Sequence, residues 1–149
     1  MVQSITLYRP VGAEELKLIV DSGMKSFPTR LSWQPIFYPV LNFKYASEIA
    51  ERWNMGNIDS GGAGFVTAFE IPEEYFMTFA VQTVGLDYHQ ELWVPADQLN
   101  EFNSMIIGLI RIDHAYIGKK FNIPEEIAHV LPFKFVRYYP DPILIAVVS

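Results

Sequence analysis

Two short apolar segments of this chain each carry a charge at one end. Glu91-Leu92-Trp93-Val94-Pro95 opens on a carboxylate and closes on a proline, ahead of a short helix-like run over 96–103. Leu7-Tyr8-Arg9-Pro10, near the N-terminus, carries an arginine at its end. Arginine presents a planar fork of donors that matches a phosphate, and a fixed carboxylate can stabilise a developing positive charge. An arginine on one strand and a glutamate on another can make a site for a substrate bearing phosphate and ribose. Charges at strand ends more often face water, so the elements around Arg9 and Glu91 have to decide.

Other chemistries find less support. The histidines, His89, His114 and His129, show no short paired spacing and no helical His-x-x-x-His, so no metal site is expected. No Gly-x-Ser-x-Gly elbow marks a hydrolase nucleophile. The glycine-rich stretch over 56–64 lacks the Lys-Ser/Thr of a P-loop and the Gly-x-Gly-x-x-Gly of a dinucleotide fold. It reads as a connection, which can also serve as a lid. The tyrosines, Tyr8, Tyr38 and Tyr45 among them, belong in a core or beside a pocket, where a ring stacks on a base and the hydroxyl bonds elsewhere.

Composition narrows the class. Half of the 149 residues are hydrophobic and 19% are charged, which suits one domain with a sizeable core and not a disordered chain. The formal net charge of -6 repels phosphate backbones, so no nucleic-acid partner is expected. No run of Lys or Arg marks a membrane-surface patch, and the apolar runs are far too short to span a bilayer. The chain has no cysteine, which removes disulfides and thiolate sites and fits a reducing compartment. Residues 1–6 show no basic segment leading into an apolar stretch, so no signal peptide is expected and a cytoplasmic location is.

Periodicity and punctuation give the elements. Residues 4–9 read as a strand broken by Pro10-Val11-Gly12. Residues 13–21 read as a helix: Glu14 and Glu15 suit its dipole, Leu16, Ile19 and Val20 share a face, and Gly23 stops it. A loop over 24–34 precedes a short strand over 35–41. Residues 42–53 read as a helix capped by Asn42, with Ala46, Ile49, Ala50 and Trp53 on one face. Alternation predicts a strand over 65–71, with Phe65, Thr67, Phe69 and Ile71 on one side. Strands follow over 78–84, 89–94 and 104–112, with a helix over 96–103 that turns Leu99 and Phe102 inward. A helix over 124–131 and strands over 133–139 and 143–148 extend the sheet or cover one of its edges. Strand, helix, strand, helix, then mostly strands predicts a single α+β domain over 1–149, with a largely antiparallel or split sheet and not a doubly wound one.

This succession resembles the small ADP-ribosyltransferase-like fold over 5–112, with 113–149 as a C-terminal extension. In that fold the first strand carries Arg or His, often after Tyr, as in Leu7-Tyr8-Arg9. A helix ending in Ser-Gly follows, as over 13–23. A strand then leads into a helix rich in Tyr and Ala, as in Ile36-Phe37-Tyr38-Pro39 and Tyr45-Ala46. The later strand carries the glutamate, then apolar residues and proline, as in Glu91-Leu92-Trp93-Val94-Pro95. The resemblance implies an ADP-ribosyltransferase-like split, mostly antiparallel β-sheet with short flanking helices. It implies NAD as substrate, with Arg9, preceded by Tyr8, on phosphate or ribose, and with Tyr38 or Tyr45 stacked on nicotinamide. Glu91 is then the catalytic carboxylate that stabilises positive charge as nicotinamide leaves. A protein acceptor is implied in the transferring members. Two departures bear on the acceptor. Phe37-Tyr38-Pro39 stands where arginine-modifying members place a Ser-Thr-Ser-like pattern, and His89 stands two residues before the glutamate, where Glu or Gln is usual. They point away from transfer to arginine side chains. They leave as a second reading a non-catalytic interaction protein on the same fold, whose aromatic residues supply a homodimer or partner surface.

Overall fold

The computed structural model describes residues 3–54, 62–118, 121–131, 136–138 and 143–145. Within them the chain is a mixed α/β structure of antiparallel sheets with short helices, in agreement with the α+β expectation. A five-stranded sheet has the order β1-β3-β7-β8-β9, from β1 (Ser4–Gly12), β3 (Ala63–Pro72), β7 (Ile107–Ile117), β8 (Val136–Tyr138) and β9 (Ile143–Ile145). All its pairings are antiparallel except β7 with β8. Of the glycine-rich stretch expected as a connection over 56–64, residues 56–61 lie outside the described residues, and Ala63 and Gly64 belong instead to β3.

β1 does not break at Pro10 but pairs with β3 as far as Gly12. The Tyr8 N–H and C=O both bond Val40, so the backbone groups of even-numbered residues face away from β3. Pro10 therefore loses no bond to β3 by lacking an N–H. β7 likewise runs past the expected end at 112, because Ala115 and Ile117 pair with Phe65 and Ala63 and are buried there. Asp113 is the extra residue of a bulge between the Val66–His114 and Thr67–Ile112 pairs, which masks the alternation.

β3 is apolar on both faces. Phe65, Phe69 and Ile71 join Leu7 and Val11 in the main core, while Val66 faces a smaller cluster with Val40, Ala46, Ala50 and Tyr116. That second cluster exists because α2 (Phe43–Ile49) and the π-helical turn Ala50–Asn54 lie across the sheet. Gly64 permits this approach, since a Cβ there would collide with the Ala50 carbonyl oxygen. Asn42 caps α2 as expected, its side-chain oxygen accepting from the Tyr45 N–H at 2.8 Å.

α1 (Ala13–Asp21) buries Leu16 and Ile19 against the main core. It ends in a Schellman pattern. Gly23 N–H donates to Val20 O, Met24 N–H donates to Ile19 O, and Gly23 takes φ 77°. Beyond Val40, which isolated bridges tie to Tyr8 and to Glu91, lie two two-stranded sheets, β2 (Ile36–Phe37) with β6 (Val94–Pro95) and β4 (Val81–Thr83) with β5 (Gln90–Leu92). One register runs from Ile36–Pro95 through Phe37–Val94 to Val40–Glu91, and β4 pairs with β5 on the far side. α3 (Glu73–Phe76) and α4 (Leu99–Ser104) close the core, with Leu99 and Phe102 buried as the pattern predicts. α5 (Glu125–Ala128) packs Ile127 into the same core. No helix among the described residues is long and apolar enough to cross a membrane.

Candidate functional site

Arg9 and Glu91 lie close along the sheet but on different faces. Tyr8 bridges Val40 on one side, and Val40 bridges Glu91 on the other. Two strand spacings, roughly 10 Å, therefore separate β1 from the Glu91 backbone. Residues directly opposite in an antiparallel pair project to the same face, so Tyr8, Val40 and Glu91 share one. The register adds Tyr38 and Trp93, which face each other across the ladder with ring centroids 6.5 Å apart. Arg9 follows Tyr8 in an extended strand and projects to the opposite side.

Glu91 is a held carboxylate, only 9% exposed. The Tyr45 hydroxyl, reaching from α2, donates to its Oε2 at 3.1 Å, and the Trp93 indole N–H donates to its Oε1 at 2.8 Å. Each oxygen keeps a lone pair for a further donor. Around it lie Tyr38 and Trp93, 39% and 45% exposed, and His89, stacked on Tyr45 at 4.6 Å. His89 Nδ1 accepts from the Leu86 N–H at 3.0 Å, which leaves Nε2 to carry the proton, 3.8 Å from Glu48. Tyr88 donates to Glu48, and that bond holds the Glu48 carboxyl down and pushes the Tyr88 hydroxyl up.

Burial, then the Glu91 charge and the hydrogen bond to it, push the Tyr45 hydroxyl up to about 12. The folded value lies above the ordinary one of about 10. The stability contributed by the protonated Tyr45 hydroxyl, through burial first and Glu91 second, is thus fully present below a pH of about 10 and is lost as pH rises through about 12. In denaturant titrations the wild type should lose stability relative to Tyr45→Phe across that window and hold a constant difference at neutral pH. Parallel curves throughout would show that folding does not raise the Tyr45 hydroxyl.

Arg9 belongs to a second arrangement. Its Nε and Nη2 donate to Glu15 Oε2 and Oε1 at 2.6 and 2.9 Å, a two-bonded pair between β1 and the first turn of α1. Its guanidinium lies 4.7 Å from the Phe37 ring centroid, and Nη1 donates at 3.5 Å to the Tyr38 carbonyl. Of the residues that the sequence singled out, Tyr8, Tyr38, Tyr45 and Glu91 gather on one face, and Arg9 does not join them.

Sequence reasoning missed Trp93 and His89 as neighbours of Glu91, although each stands two residues from it and strand alternation alone puts all three on one face. It also read Glu15 only as a dipole acid. Among the described residues, no three His, Asp or Glu side chains converge where they could hold a metal ion.

No family model, curated protein or solved structure matches this chain. Its functional reading rests on this geometry and on the chemistry of these side chains.

Proposed function

We propose that the protein binds NAD on the Glu91 face of an ADP-ribosyltransferase-like split sheet, in the cytoplasm, and cleaves the nicotinamide N-glycosidic bond. The observation that carries this reading is the Glu91 carboxylate, fixed by two donors and rimmed by half-exposed aromatic rings. In this reaction the bond from ribose C1′ to the nicotinamide nitrogen breaks, and its electron pair leaves with nicotinamide, cancelling that ring's positive charge. The ribose is left with oxocarbenium character, which a preorganised carboxylate stabilises. Water or an acceptor nucleophile then forms the new bond to C1′ and releases a proton.

Tyr45 and Trp93 hold the carboxylate in place, and Tyr38 and Trp93 offer ring faces and edges for nicotinamide or adenine. Tyr8 and Tyr45 complete the wall. Arg9 is left out of contact with NAD because it projects from the other face, where it pairs with Glu15.

A second reading has its own observation. β4 stands at the end of the described ladder, and Val81, Val84 and Leu86 in and beside it are exposed, which suits pairing with another protein. Ligand-observed NMR with NAD separates the two. The wild type should bind NAD and release nicotinamide, and Glu91→Gln should cut release by at least about 100-fold, the usual scale for losing one transition-state electrostatic group, while keeping the fold. Absence of NAD binding, with self-association that rises with concentration, would favour the interaction protein instead.

A further inference from the structure

We propose that the guanidiniums of Arg30 and Arg9, gathered over the Phe37 ring beside Glu15, form a binding site for a phosphate group. The proposal does not rest on the NAD reading, since Arg9 projects from the face of the sheet opposite Glu91.

The charges in this cluster do not balance. Arg9 sits 4.7 Å and Arg30 5.9 Å from the centroid of the same buried ring, and among the described residues Glu15 is the carboxylate that pairs there. Two cations against one anion leave one positive charge, in a chain whose formal net charge is -6. Arg9 is satisfied by its two bonds to Glu15. Arg30 is not: its Nε is buried and has no hydrogen-bond partner. A buried donor left unpaired on a charged group is costly, and a bound acceptor would relieve that cost. Burial, then the neighbouring Arg9 charge, also depress the Arg30 pKa. Both effects oppose the charged form, and an anion offsets both.

The position is built rather than incidental. Phe27, three residues earlier, is buried against Phe37 and Phe69. Its backbone N–H and C=O are both bonded by the Asn103 side-chain amide at 2.9 Å. Just after Arg30, Leu31 and Gln34 close a turn through the Gln34 side chain and backbone. The loop is therefore anchored on both sides of Arg30.

Phosphate is the favoured anion because of its acceptor count. The Arg30 fork takes two oxygens. A third oxygen reaches Arg9 Nη1, whose bond to the Tyr38 carbonyl at 3.5 Å is at the outer limit of a hydrogen bond and leaves that nitrogen able to donate. A carboxylate has only two oxygens to share.

The test follows the arginine Nε–H signals in proton–nitrogen correlation spectra of the whole chain, with Arg30→Met identifying the Arg30 signal. Inorganic phosphate, acetate, ribose 5-phosphate and sodium chloride are titrated at matched ionic strength. Phosphate should shift the Arg30 signal saturably, acetate should do so more weakly, and Arg30→Met should lower phosphate affinity about ten-fold, the loss of one charge-assisted contact. Arg30→Lys, which keeps the charge without the fork, should fall between and serves if the methionine variant is poorly folded. Tighter binding of ribose 5-phosphate would identify an organic phosphate as the ligand, and equal binding would identify free phosphate. A shift no different from that in chloride, saturation by acetate without phosphate, or phosphate affinity unchanged in both variants would each overturn the proposal.

Discussion

Phe102→Ala is expected to destabilise the protein by about 4 kcal/mol, near the middle of the range for truncating a buried phenylalanine. Phe102 is fully buried, and the rings of Phe37, Phe69, Tyr75 and Phe79 surround it at centroid distances of 5.5 to 6.2 Å. Those rings come from three parts of the chain, β2, β3 and the segment from α3 to Phe79, so filling the space would require separate elements to move together. The helix that carries Phe102 is α4, Leu99–Ser104, and a helix of that length has no stability of its own in water. It is held by Leu99 and Phe102, and losing the larger anchor should loosen α4 and, through Phe37, the ladder that carries the Glu91 face. Urea unfolding at constant slope gives the number directly. Trp33→Ala is the control. It removes a larger ring that is 73% exposed, and it should change stability by no more than about 0.5 kcal/mol. A similar cost for both variants would mean that the ring cluster is not the centre of the core.

Local patterns were readable in the sequence, and non-local ones were not. Leu16 and Ile19 in α1, the Asn42 cap and the inward pair Leu99 and Phe102 all lie where spacing placed them, because each depends on residues within one or two turns. Pro10 reads locally as a strand breaker, since its harmlessness in β1 depends on which neighbour its backbone faces. The alternation that marks β7 stops at 112 because a bulge at Asp113 shifts it. The alternation over 65–71 suggested one buried face, and the second is buried because α2 crosses it.

The site follows the same division. That Glu91 is a held carboxylate depends partly on Trp93, two residues on, and partly on Tyr45, 46 residues away in sequence. That Arg9 and Glu91 face apart depends on the register of two bridges through Val40, and a slip of one residue would have put them together. No local pattern encodes that parity. Arg30 was hidden for a related reason: in a loop without period, only the tertiary position of Phe37 and Arg9 gives its charge meaning.

Glu15→Ala should cost about 3 kcal/mol, the lower end for removing one partner of a largely buried pair. The pair is shielded, with side chains 10% and 22% exposed, and its loss leaves the Arg9 and Arg30 charges beside Phe37 without the Glu15 anion. Arg9→Met should cost less. The Glu15 carboxylate that it strands is the more exposed partner, and Arg30 stands near enough to be stabilised by it. The double variant Arg9→Met/Glu15→Leu should recover much of the loss, because two apolar groups need no compensation. A double-mutant cycle should therefore show a coupling of about 2 kcal/mol. Additive costs would mean that the pair contributes packing and no electrostatic link between β1 and α1. A phosphate that takes up the charge at Arg30 should also restore stability to Glu15→Ala more than chloride does at equal ionic strength, because it replaces the missing anion where the protein lost it.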